Sequence, residues 1–194
     1  YLLGENNDVI ALAQTGTGKT AAYGLPILQK VNPSSRSTQA IVLSPTRELC
    51  LQIADDLKDY SRYIDGLYVQ AVYGGASIDS QIRALKKGVQ VIVATPGRLI
   101  DLMNRGVARL DEVQNVVLDE ADEMLNMGFS ESIDAILAGV PEERNTLLFS
   151  ATMSKEVENI AKNYLHDHKE IVVGSRNEGA EKVNHIYYMV QARD

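Results

Sequence analysis

The chain has 194 residues, 45% of them hydrophobic, and a formal net charge of −7. That length sustains one full core without disulfides or structural metal, and the hydrophobic share argues against disorder. No apolar run approaches the ~20 residues that span a bilayer, and the acid excess excludes nucleic-acid binding driven by overall charge, so any such site must be local. The single Cys50 cannot pair within the chain, which suits a reducing cytoplasm, and its helical setting beside Leu49 reads as a small buried hydrophobe.

Taken in order, Tyr1 to Asp8 is a polar lead-in closed by the turn signal Asn6-Asn7-Asp8. Val9 to Leu12 reads as a buried strand, and a helix is expected from Lys19 to about Lys30, stopping near Asn32-Pro33. Ala40 to Leu43 is the next buried strand. Thr46 then caps a helix reaching about Tyr63, with Leu49, Ile53, Leu57 and Tyr60 on one face. Leu67 to Tyr73 reads as a strand closed by Gly74-Gly75, and Ile78, Ile82 and Leu85 mark an amphipathic helix ending near Gly88. Arg83, Lys86 and Lys87 read as the solvated side of that helix. Val89 to Ala94 is a fourth strand, followed by Thr95-Pro96-Gly97-Arg98 and a helix to Asn104.

Val116 to Leu118 is a fifth strand ending in Asp119-Glu120, then a short helix for which Gly128 is a plausible C-cap. Ser130 to Leu137 reads as helix and Thr146 to Phe149 as a strand ended by Ser150-Ala151-Thr152. Ser154 caps a helix that carries Val157, Ile160, Ala161 and Tyr164 on one side. Ile171 to Val173 is the last strand of the series. His166 and His168 read as loop residues, since a metal site needs further ligands. Short apolar strands alternating with amphipathic helices predict an α/β fold. The expected form is a three-layer sandwich, a mostly parallel sheet with helices on both faces. In such sheets ligands sit at the carboxyl ends of the strands, where every motif below falls.

Ala13-Gln14-Thr15-Gly16-Thr17-Gly18-Lys19-Thr20 lies between the first strand and the first helix, the context a phosphate-binding P-loop requires. The general pattern begins with Gly, and Ala13 stands there instead. Gly16 and Gly18 let the backbone turn its N–H groups inward, toward an anion at the positive end of the helix. Lys19 can reach the outer phosphates, and the Thr20 hydroxyl can ligate Mg2+. Asp119 and Glu120 sit where a P-loop protein needs carboxylates: Asp119 to hold the metal, Glu120 to activate the attacking water. Alone, those acids are equally an acidic helix start. With a P-loop upstream they point to nucleotide hydrolysis.

Beyond these two stretches stand Pro45-Thr46-Arg47-Glu48-Leu49, Gly74-Gly75, Thr95-Pro96-Gly97-Arg98, Asp119-Glu120-Ala121-Asp122 and Ser150-Ala151-Thr152. In this order the set resembles the first RecA-like domain of a DEAD-box RNA helicase, and Leu118 to Phe129 is similar to bacterial members, including cold-shock and RNA-degradation helicases. The resemblance implies a P-loop NTPase of RecA-like fold that binds ATP and Mg2+ through Gln14, Thr15, Gly16, Thr17, Gly18, Lys19 and Thr20. Lys19, Asp119 and Glu120 would be catalytic, with Thr20 and Asp119 on the metal. Asp122 would hydrogen-bond toward Ser150 and Thr152, coupling the ATP site to RNA-dependent closure. Pro45, Thr46, Arg47, Gly74, Gly75, Thr95, Pro96, Gly97 and Arg98 would line the RNA backbone, independently of base sequence. By residue type alone these are turn and cap residues, with Arg47 and Arg98 in surface ion pairs.

On this reading residues 1–174 are the ATP-binding domain, truncated before the family's adenine-recognition segment. Residues 175–194 are a linker and the start of a second RecA-like domain, with a strand over Val183 to Val190. The expected activity is ATP hydrolysis coupled to RNA duplex unwinding in an intact, cytoplasmic two-domain protein without a membrane partner. The isolated chain would be nearly inactive without the arginine fingers of the second domain. The alternatives are an ATP-switched RNA clamp or scaffold without processive unwinding, and a P-loop ATPase or kinase unrelated to nucleic acid. The paired Thr46-Arg47 and Gly97-Arg98 loops disfavour the last.

Overall fold

Four-residue apolar strands with no polar face can be stable only in the middle layer of a sandwich, and that is where the chain puts them. The computed structural model describes residues 7–14, 16 and 18–173. The elements are β1 (Val9–Leu12), α1 (Lys19–Lys30), β2 (Ala40–Leu43), α2 (Arg47–Tyr60), β3 (Val69–Val72), α3 (Ile78–Lys86) and β4 (Val91–Ala94). They continue with α4 (Pro96–Asn104), β5 (Asn115–Leu118), α5 (Ala121–Asn126), α6 (Ser130–Ala138), β6 (Asn145–Ser150), α7 (Lys155–Tyr164) and β7 (Lys169–Val172). The seven strands form one sheet in the order β3-β4-β2-β5-β6-β1-β7, and every pair is parallel.

Strand side chains alternate between two cores. Ile10, Leu12, Ile41, Leu43, Ile92, Val116 and Leu118 face a core closed by α3 to α7. Val9, Ala11, Val42, Val91, Val93, Val117 and Phe149 face one closed by α1 and α2. The expected sandwich is therefore present, with its helices divided two against five. The buried face of α2 centres on Cys50, Ile53, Ala54 and Leu57, one position off the expected stripe: Leu49 is half-buried and Tyr60 exposed. α2 also ends at Tyr60, before the expected Tyr63. α1 carries Pro26 in its interior without breaking, which leaves the Ala22 carbonyl without its usual amide donor.

Two strands begin on a polar residue that the apolar pattern did not mark. Asn115 and Asn145 lie opposite each other in the β5–β6 register. Ser150, expected just beyond its strand, is the last residue of β6. β7 starts earlier than expected, at Lys169. Thr46 and Ser154 cap their helices as expected, accepting from the amides of Leu49 and Val157. Gly128, at φ 85°, follows the end of α5. No metal-binding cluster of His, Cys, Asp or Glu exists among the described residues. No described helix is long and apolar enough to cross a membrane. The linker, the strand over Val183 to Val190, Thr15 and Thr17 lie outside the described residues.

Candidate active site

Parallel strands all point their carboxyl ends the same way, so the loops that follow them share one edge of the sheet. Read across that edge, the loops after β3, β4 and β2 carry Gly74-Gly75, Thr95 to Arg98 and Pro45 to Arg47. The loops after β5, β6 and β1 carry Asp119 to Asp122, Ala151-Thr152 and the Gly16–Thr20 turn.

Lys19 and Asp119 come from α1 and the end of β5, a hundred positions apart. The Lys19 ammonium Nζ lies 3.1 Å from Asp119 Oδ1. The other carboxylate oxygen, Oδ2, accepts a 2.9 Å hydrogen bond from the Tyr23 hydroxyl. Asp119 is 2% exposed, and with both oxygens engaged its charge is compensated rather than stranded. Burial and the neighbouring Asp119 carboxylate push the Tyr23 phenol far above its ordinary range, so it remains a donor. Tyr23 was missed by motif reading. The signal for it was positional: it stands four residues after Lys19 on one helix, hence on the same face.

Gly16 and Gly18 take φ of 87° and 75°, and a Cβ on either would meet nothing within 4 Å. Both glycines are left-handed and open on their outer side, as an anion cradle requires. Glu120 follows Asp119 in the left-handed region, at φ 51°, an uncommon conformation for a residue with a Cβ. Asp119 and the Thr20 hydroxyl offer oxygen donors only, the set that Mg2+ takes, so the residues fit that ion.

Asp122 accepts from both the Thr152 amide and hydroxyl through Oδ2, at 3.1 and 3.0 Å. The expected bond to Ser150 is not made. Ser150 is buried in β6 and its Oγ donates to the Thr152 carbonyl at 2.7 Å instead. Asp122 therefore holds Thr152, and Ser150 shapes the turn from beneath.

On the other half of the edge the arginines are not in ion pairs among the described residues. Arg98 Nη1 donates to the Ala76 carbonyl at 3.2 Å and to Gln81 Oε1 at 3.0 Å, and Nη2 donates to Ala76 O at 3.3 Å. Buried Gln81 in turn donates to the Tyr73 carbonyl at 3.2 Å. Arg98 is thus a strut holding the Gly74-Gly75 loop against α4, and Gln81, which motif reading missed, pins the loop's other end. Arg47 lies 5.1 Å over the Tyr73 ring, a cation–π contact that leaves its donors available. Gly74, Gly75 and Gly97 are exposed, and a Cβ on each would meet nothing. Pro45 and Pro96, expected on the same line, are buried and can only set the turns. Cys50 is buried below this half, its thiol within 3.2 Å of the Val93 carbonyl and pushed up to about 12 by burial.

A family model described as DEAD/DEAH box helicase matches residues 1–160. The chain is 49% identical over 189 residues to the DEAD-box ATP-dependent RNA helicase CshA of Geobacillus kaustophilus, covering 97% of this chain and 40% of that protein. It is 45% identical over 192 residues to the ATP-dependent RNA helicase DeaD of Buchnera aphidicola, covering 99% and 32% respectively. The crystal structure of a DEAD box protein from Methanococcus jannaschii superposes with a TM-score of 0.82 at 43% identity, over 88% of this chain and 46% of that one. The yeast DEAD-box splicing factor Prp28 superposes with a TM-score of 0.85 at 31% identity, over 91% and 43%. The chain spans only 32–40% of the length of these two curated relatives.

Proposed function

The chain belongs to the DEAD/DEAH box helicase family, and on that premise we propose that it is the ATP-binding domain of an ATP-dependent RNA helicase. The observation that carries this reading is the 3.1 Å contact between Lys19 and Asp119 at the end of an open glycine turn. The turn's amides and the N-terminus of α1 receive the triphosphate as an anion. Lys19 supplies a compact positive charge to its outer phosphates. Thr20 and Asp119 would hold Mg2+, which when bound offsets the charge on the phosphate oxygens. Tyr23 keeps Asp119 turned toward Lys19 by holding its far oxygen. Glu120 orients a water and accepts its proton as the nucleophile forms.

The glycines after β3 and in the first turn of α4, with the amides at the start of α2, offer the RNA backbone close approach without base selection. Asp122 and Thr152 join the two activities, since they link the loop after β5 to the loop after β6. The second RecA-like domain belongs to the intact protein, and the 194-residue chain alone is expected to turn ATP over barely. A cytoplasmic setting suits its single free, buried thiol.

The test is RNA-stimulated ATPase on the intact protein. Glu120→Gln should keep ATP binding while hydrolysis falls by about 100-fold or more, the scale of a lost general base. Hydrolysis indifferent to both RNA and Glu120→Gln would rule this reading out.

A further inference from the structure

Beside α3, at the amino ends of edge strand β3 and its neighbour β4 and away from the motif loops, lies a cavity of about 860 Å³. Its walls come from three separate stretches: the loop Pro33 to Arg36, the turn into β3 with the start of that strand, and α3 with the segment that leads from it toward β4. Those walls are fastened together. Gln90 donates through Nε2 to the Ser35 carbonyl at 2.6 Å and accepts the Tyr68 amide through Oε1 at 2.8 Å. Gly88, at φ 91°, admits the Arg36 stem so closely that a Cβ would sit 2.7 Å from it. The cavity is therefore built by contacts that hold it open, not left by loose packing.

Its charge is unlike that of the chain. Arg36, Arg83 and Lys87 line it, and no Asp or Glu does. Asp65 and Asp79, the acids nearest in sequence, are not among the lining residues. None of the three cations makes an ion pair or side-chain hydrogen bond among the described residues. In a chain of net charge −7, three uncompensated cations gathered from two distant segments form a local positive well. Tyr68 stands at its rim, 62% exposed. Arg83 and Lys87, which by sequence alone read as one helix's solvated side, here face the same hollow as Arg36.

The position of α3 names the occupant. It begins immediately after the Gly74-Gly75 loop, and Ser80, Arg83, Ala84 and Lys87 share one face of it that leads from that loop into the cavity. At the rise of an α-helix the face is ~10 Å long, a span that a few nucleotides of extended strand cover. We propose that the cavity is a second anchor for single-stranded RNA. It takes the phosphates of the stretch running past the Gly74-Gly75 loop on Arg36, Arg83 and Lys87, and stacks a base on Tyr68. Cations along a backbone track with an aromatic platform are the general means of sequence-tolerant single-strand binding. The proposal rests on the RNA reading of the strand-end edge and extends it.

The experiment uses the intact protein and fluorescence anisotropy with two oligouridines, one just long enough for the strand-end edge and one extended by several nucleotides. Wild type should bind the longer one more tightly. The double variant Arg83→Ala, Lys87→Ala should weaken the long oligomer about tenfold and leave the short one unchanged. Its log–log salt slope for the long oligomer should fall by about 1.4, at ~0.7 per cation. Tyr68→Ala should weaken the long oligomer at least about fivefold. Identical binding of the long oligomer by wild type and the double variant overturns the proposal. So does displacement of a labelled acidic peptide, with no effect of RNA length, which assigns the cavity to a protein partner. Failure of wild type to bind the short oligomer would instead refute the RNA reading itself.

Discussion

At the ends of β5 and β1 the buried charges Lys19 and Asp119 are partnered with each other; at the ends of β4 and β2 the arginines are partnered with a backbone carbonyl, a side-chain amide and a ring. Lys19 and Tyr23 meet on Asp119, one at each carboxylate oxygen, in a single chain of contacts. Across the sheet, Arg98 spends its donors on Ala76 and Gln81, while glycines form the exposed surface. The first half stores charge in an ion pair, which on the proposed reading a triphosphate would part. The second stores shape, and on the same reading its affinity for a strand would arise from backbone approach more than from free cations.

The strongest way to break this contrast is Lys19→Ala. ATP affinity of the intact protein should fall about 100-fold, the ~3 kcal/mol of a lost charge-assisted hydrogen bond. Nucleotide-free RNA binding should not change. Titration calorimetry with ATP and anisotropy with RNA give the two numbers, and a joint loss would mean the halves are not separate.

Tyr23→Phe sharpens the charged half. It keeps the buried ring and its 5.2 Å contact with Phe149 but deletes the donor to Asp119. Stability should fall by about 1.5 kcal/mol in urea melts, and half-saturation by Mg2+ in nucleotide binding should shift upward. An unchanged Mg2+ dependence would reduce Tyr23 to packing.

Arg98→Ala is the mirror test. RNA affinity should weaken about fivefold, roughly 1 kcal/mol, because the Gly74-Gly75 loop loses its strut, while ATP affinity stays as it was. Arg98→Lys should rescue little, since an ammonium cannot reproduce the planar fork that reaches two acceptors.

The last effect vanishes at neutral pH and concerns Cys50. Its folded pKa, about 12, lies above the unfolded value near 8.5, so between those limits the folded state holds a proton that the unfolded chain has released. Stability is then full below about pH 8.5 and declines above it, by up to ~1.4 kcal/mol per pH unit. Cys50→Ala should make that decline shallower between about pH 8 and 9, below the range where the unfolded chain's phenols, raised in the fold at Tyr23 and Tyr164, begin to contribute. Equal slopes in the two proteins would contradict the burial argument.

Local pattern made most of this architecture legible. Uninterrupted apolar tetrapeptides such as Ala40 to Leu43 have one stable home, and turn residues after each of them marked the edge where the chemistry gathers. What stayed hidden depended on partners far away in the chain. Asn115 and Asn145 belong to strands because they face each other in register, which neither segment states alone. Arg98 read as a backbone-lining residue or a surface ion-pair member because nothing near it in sequence announces the Ala76 carbonyl. The resemblance implied a bond from Asp122 to Ser150, but the local pattern could not tell that Ser150 is the last strand residue and not the first of the turn.

One further feature bears on how this domain could be driven. β7 pairs with β1 in parallel, Leu12 opposite Val172, and the Val173 amide donates to the Leu12 carbonyl at 2.8 Å. Val173 thus lies about one strand spacing, ~4.8 Å, from the residue that leads into the glycine turn. A pull on Val173 would reach Ala13 through a single backbone rung, so that the last described strand and the approach to that turn shift together.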